Sequence, residues 1–166
     1  MKLKETYYFV GRCLGLRFYP ERKDEIIRII HSGEISFEKL VWVISSQHVM
    51  PTFYVLFRDA NLLRILPKDL VEHMAHIHKM NLMRNELLLE QINEINTALD
   101  SVDIHPVYLK GIAHLLEGMY EDIGERMIGD IDILLPLKQI HPAVNLLKES
   151  GYNKSYGMNK DTLKKL

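Results

Sequence analysis

"VYLKGIAHLLEGMYEDIGERMIGDIDILLP", residues 107–136, is where the hydrophobic pattern of this chain changes. Val107, Tyr108 and Leu109 include β-prone residues and follow Pro106, which a helix interior would not tolerate without cost. Behind Gly111, "IAHLLEGMY" reads as a short helix, and "DIDILLP", residues 130–136, as a second strand closed by Pro136. Side chains along a strand alternate faces, so Asp130 and Asp132 share one face while Ile131, Ile133 and Leu135 share the other. Two like charges on one pleat repel, and something must offset them.

Outward from this stretch, "LKQIHPAVNLLKESG", residues 137–151, reads as a helix with Gly151 as its stop, and "YNKSYG" as the opening of a third strand. Strand, helix, strand, helix is an α/β signature. Upstream, residues 1 to about 100 carry hardly any strand signal. "PERKDEIIRIIHSG" has acidic residues in its first turns and Gly33 as a stop. "ISFEKLVWVISSQHV" has Ser36 as an N-cap and is expected to bury Trp42, and "MPTFYVLFRD" has Pro51 near its start. The longest periodic element runs from Pro67 to about Leu99, with Leu88, Ile92, Ile95 and Leu99 on one helical face. Met80 and Met83, one turn apart in it, are expected to fill core gaps. The predicted fold class is α+β, mainly α: a helical N-terminal bundle over 1–100, then a small α/β core over 101–166.

Composition bounds the function classes. The 166 residues are 47% hydrophobic and 26% charged, as in an ordinary soluble globular protein. A formal charge of −1 gives no global basic field for nucleic acid or membrane. The single cysteine, Cys13, excludes a disulfide framework, fits a reducing cytoplasmic setting and reads as a packing residue. Arg12 interrupts the apolar run near the N-terminus, so no signal peptide is expected, and no run approaches the ~18–20 apolar residues of a membrane span. "EHMAHIH" places His73, His76 and His78 close together, but no glutamate or cysteine stands where a zinc site would want it, so these read as ordinary helix histidines.

Asp130 and Asp132 carry the chemistry. Two strand steps of ~3.3 Å put their Cα atoms roughly 6.5 Å apart, close enough for both carboxylates to converge on one cation. Mg²⁺ is hard, prefers oxygen, and is commonly held by one or two carboxylates plus substrate phosphates. The alternative is that Gly129–Asp130 is a turn, with Asp132 paired to Arg126 or a lysine. The context of "YLKG" bears on the choice: a glycine between a strand and a helix lets backbone N–H groups approach a phosphate, and Lys110 adds a cation beside it. Arg126 stands ready either to bind a phosphate, to orient Asp130, or to neutralise the aspartates.

The block "YLKGIAHLLEGMYEDIGERMIGDIDILLP" followed by "LLKESGY" resembles the uncharacterised nucleotidyltransferase family of the DNA polymerase β-like superfamily. The matching positions are Lys110, Gly111, Tyr120, Arg126, Asp130, Asp132, Gly151 and Tyr152, and "NLMRNELLLEQINEI" resembles the family's preceding helices, so the likeness covers about residues 50–156. The resemblance implies a nucleotidyltransferase-type core and Mg²⁺-dependent transfer of a nucleoside monophosphate from an NTP to an acceptor hydroxyl on a protein, small molecule or nucleic acid. Asp130 and Asp132 would be the catalytic metal ligands, and Lys110, Gly111 and Arg126 the nucleotide-binding residues. A complete site would hold two Mg²⁺ ions, and a site with only these two carboxylates a single ion. The superfamily's third carboxylate comes from a later strand, and after Gly151 only Asp161 is available. The core is therefore expected to be partial: a fragment of a longer enzyme, a shortened member, or a binding or regulatory protein that keeps the fold with impaired chemistry.

Overall fold

A computed structural model of the protein describes residues 1–153. Five helices come first: α1 (Leu3–Leu14), α2 (Lys23–His31), α3 (Phe37–Ser46), α4 (Met50–Asp59) and α5 (Lys68–Asp100). Short 3₁₀ turns at Pro20–Arg22 and Leu63–Ile65 lead into α2 and α5. Then follow β1 (Val107–Tyr108), α6 (Lys110–Leu116), β2 (Ile133–Leu134) and α7 (Leu137–Glu149). The chain is thus mainly α with a small sheet, as its patterning predicts.

Local chemistry sets the helix ends. The Ser36 hydroxyl accepts a hydrogen bond from the Lys39 N–H and caps α3. Pro51 sits in the first turn of α4, where its missing N–H is not needed. Gly33 adopts φ 73° just past α2, a left-handed stop that glycine reaches without strain.

The 33-residue α5 is the spine, about 50 Å long at 1.5 Å per residue. Its first turns close a core with α1–α4 built on Phe9, Cys13, Ile26, Leu40, Phe53, Phe57 and Met74. The Phe53 and Phe57 rings stack there with centroids 4.2 Å apart. Burial pushes the Cys13 thiol well above its ordinary pKa, so it packs as a small apolar group. Farther along, Ile92 packs with Ile112, Leu115 and Ile128, and Ile95 and Leu99 pack with Ile104 and Ala143. No single helix among the described residues is long and apolar enough to cross a membrane.

Four expectations need correction. Trp42 is 53% exposed, because α3 buries Leu40, Val43 and Ile44 and turns Trp42 outward, edge-on to Tyr7. Met80 and Met83 are exposed as well, since α5 buries His78, Asn81 and Asn85 at this level instead. The two strands pair antiparallel, not in the parallel manner that a strand–helix–strand order usually builds. Strand β2 is also shorter than residues 130–136. Its register pairs Val107 with Leu134 and Tyr108 with Ile133. One more bond runs from the Leu109 N–H to the Asp132 carbonyl at 3.0 Å, and then Lys110 turns away into α6. Asp132 is therefore tethered at the end of the ladder, while Asp130 lies beyond the reach of the partner strand. Alternation survives nonetheless: Ile131, Ile133 and Leu135 pack toward Ile95, Leu99 and Ala143. Tyr152 and Asn153 form no strand, and the rest of "YNKSYG", with Asp161, lies outside the described residues.

Candidate active site

The antiparallel pairing brings together motif residues that are far apart in sequence. Leu109 pairs with Asp132, so the next residue, Lys110, stands beside it, and the Lys110 ammonium donates to Asp132 Oδ2 at 2.7 Å. Lys110 reaches this position with φ 55°, a left-handed backbone uncommon for a residue with a Cβ. The hydrogen bond it donates to Asp132, and more distantly the charge of Asp130, raise the Lys110 pKa above its ordinary value. Gly111 follows in the first turn of α6, where a Cβ would come 3.3 Å from Ile128 Cγ1. Asp130 is exposed, and Arg126 is exposed too, with no salt bridge to either aspartate among the described residues. Lysine, not arginine, thus supplies the counter-charge to Asp132.

Upstream of the aspartates, residues 122–129 carry no regular structure, and side chains from the helices hold them carbonyl by carbonyl. Asn81 Nδ2 donates to the carbonyls of Gly124 at 2.7 Å and Arg126 at 2.9 Å. Asn85 Nδ2 donates to those of Ile123 at 2.5 Å and Arg126 at 2.8 Å. The Thr52 hydroxyl donates to the Glu125 carbonyl at 3.0 Å, and Arg84 Nη2 to that of Gly129 at 3.0 Å. A loop cannot bury its carbonyls without such partners.

Charged groups pin the same loop. His78 Nε2 and Arg58 Nη1 bond the Asp122 carboxylate at 2.9 and 2.8 Å, and the Gly124 N–H donates to Asp122 Oδ1 at 2.9 Å. Burial works to raise the Asp122 pKa, but the bonds from Arg58, His78 and Gly124 hold it below the ordinary carboxylate range. Glu125 is 2% exposed and is matched by Arg17 at 2.8 Å, whose own pKa that bond raises. Gly124 is closely fitted, because a Cβ there would lie 2.7 Å from His78 Nε2 and 3.0 Å from Leu82 Cβ, so that a larger residue forces one of them to shift.

The sequence held a signal for this clamp. Leu70, Met74, His78, Asn81, Asn85, Ile92, Ile95 and Leu99 are all buried on α5 and lie at helical spacing. The buried stripe turns polar for three successive positions, which marks a polar object packed against it. His78 belongs to this stripe, whereas His73 and His76 are exposed.

Residues 33–165 match the model of the uncharacterised nucleotidyltransferase family. The chain belongs to that family. Its chemistry is of the nucleotidyl-transfer class. The match spans α3 to α7, so the helices that clamp the loop belong to the family's span together with the aspartates. No curated protein and no solved structure matches the chain.

Carboxylate oxygens are the donor type that a hard divalent cation prefers. Asp132 already holds a cation, the Lys110 ammonium, and Asp130, two residues upstream, acts on the same ammonium from farther away. Among the described residues no group of three or more His, Cys, Asp or Glu side chains is arranged to hold a metal. The site is an open edge; a cavity of about 380 Å³ lies elsewhere, on the helical bundle around Leu16, Arg17, Lys23 and Leu56.

Proposed function

We propose that the protein transfers a nucleoside monophosphate from an NTP to an acceptor hydroxyl, with Mg²⁺ held by Asp130 and Asp132. The observation that supports it most is the Lys110–Asp132 contact, which sets a cation and a carboxylate side by side at a strand–helix turn, as a joint phosphate and metal site would require. Lys110, the Gly111 N–H and Arg126 receive the triphosphate. When bound, Mg²⁺ would neutralise phosphate charge and draw the attacking and leaving oxygens into line. The acceptor oxygen attacks the α-phosphorus, the bond to the β-phosphate oxygen breaks, pyrophosphate leaves, and the hydroxyl proton passes to solvent. The helical clamp keeps residues 122–129 in place, so that Asp130 and Arg126 emerge from a fixed backbone.

Calorimetry with ATP and Mg²⁺ tests the ligand assignment. Wild type should bind the nucleotide in a metal-dependent manner, and Asp130→Ala with Asp132→Ala should lose it. Equal binding by both proteins would remove Asp130 and Asp132 from the metal site. Incorporation of label from α-³²P-ATP into an acceptor then separates a transferase from a protein that only binds nucleotide.

A further inference from the structure

We infer that Lys110 is an internal occupant of the cation site, and that metal and triphosphate enter by exchanging it from one partner to the other. This rests on the assignment of Asp130 and Asp132 as metal ligands. In the structure the Lys110 ammonium lies 2.7 Å from Asp132 Oδ2, a distance at which it fills the place of a metal ion on that oxygen. A divalent cation bonded to the same oxygen cannot share it with an ammonium group so close, because the two positive charges repel. The Lys110 side chain is 73% exposed and that of Asp132 30% exposed, so the pair is accessible and weak enough to exchange.

A triphosphate resolves the competition. Its oxygens offer Lys110 a partner of higher charge than one carboxylate, and the side chain rotates onto it. Asp132 is then left with an unmatched charge beside Asp130, and the affinity of the pair for a divalent cation rises. Metal and nucleotide therefore bind with positive coupling that runs through Lys110, and by linkage each raises the other's affinity by the same factor. Without nucleotide the lysine offsets one of the two negative charges, which also answers how two aspartates two residues apart are tolerated at an exposed edge.

Titration with Mn²⁺ alone, followed by the loss of its free paramagnetic signal, reads the exchange without requiring turnover. Lys110→Met should bind Mn²⁺ more tightly than wild type, by roughly three- to fivefold for a partly exposed ion pair. Lys110→Arg, which retains the plug, should stay near wild type. Unchanged or weaker Mn²⁺ binding by Lys110→Met, with the same thermal melting as wild type, would overturn the exchange. Asp130→Asn with Asp132→Asn separates the two ideas: if this double variant binds Mn²⁺ as wild type does, the ligand assignment itself fails. A second arm uses ATP in EDTA. Asp132→Asn frees Lys110 and should tighten metal-free ATP binding, and that gain should vanish when Lys110→Met is added. A gain that persists in the double variant would mean that Lys110 is not the group being released.

Discussion

Replacing Asn81 and Asn85 with alanine, singly and together, probes the clamp through the one carbonyl that both side chains share. Asn85→Ala removes the donor to Ile123 and one of two donors to Arg126, and Asn81→Ala removes the donor to Gly124 and the other donor to Arg126. Each single change strands one carbonyl against the helix, at a cost of about 2 kcal/mol for an unmatched buried polar group. Asn85→Ala should sit toward the low end, near ~1 kcal/mol, because it also removes the Asn85 Oδ1 atom, itself buried without a partner. In either single variant the Arg126 carbonyl keeps one donor. In the double variant it loses both, so the combined loss should exceed the sum of the singles by about 1 kcal/mol. Urea unfolding measures this: the midpoints shift while the denaturant slope stays constant, and the double-mutant cycle isolates the coupling. Single losses under ~0.5 kcal/mol, or additivity within ~0.5 kcal/mol, would refute the idea that these amides jointly hold the loop.

Gly124→Ala should destabilise by about 2–3 kcal/mol, since the added methyl meets His78 and Leu82, whereas Gly11→Ala meets nothing within 4 Å and should stabilise α1 by roughly 0.5–1 kcal/mol; thermal melting of both variants checks the contrast. Asp122 has a folded pKa below its unfolded value, so its contribution is complete above the ordinary carboxylate pKa of about 3.9 and is lost as pH falls through the lowered folded value. Asp122→Asn should therefore lower stability at neutral pH and flatten the acid limb of a stability–pH profile, and an unchanged acid limb would contradict the Arg58–Asp122–His78 pairing.

Local free energies were legible in the sequence. The Ser36 cap, Pro51 in a first turn, the Gly33 stop and the long periodic helix ending near Leu99 each depend on neighbours within a few positions, and each is found where the pattern puts it. The alternation that turns Ile131, Ile133 and Leu135 inward was legible for the same reason. The motif residues from Lys110 to Asp132 could be read off, and a lysine partner for Asp132 was one reading left open beside Arg126, but local pattern did not say which of the two it would be.

Only the tertiary structure decided which polar groups meet. The buried stripe on α5 announces that something polar lies against His78, Asn81 and Asn85, yet the groups they hold, the Asp122 carboxylate and the carbonyls of Gly124 and Ile123, are about forty residues away in sequence. The two-residue pairing of β1 and β2 likewise decided that Asp132 is tethered to Leu109 and faces Lys110 while Asp130 is left beyond the ladder. Caps and periodicity are settled by the chain near each residue, whereas a hydrogen bond between distant segments exists only once the fold has brought donor and acceptor within 3 Å of each other.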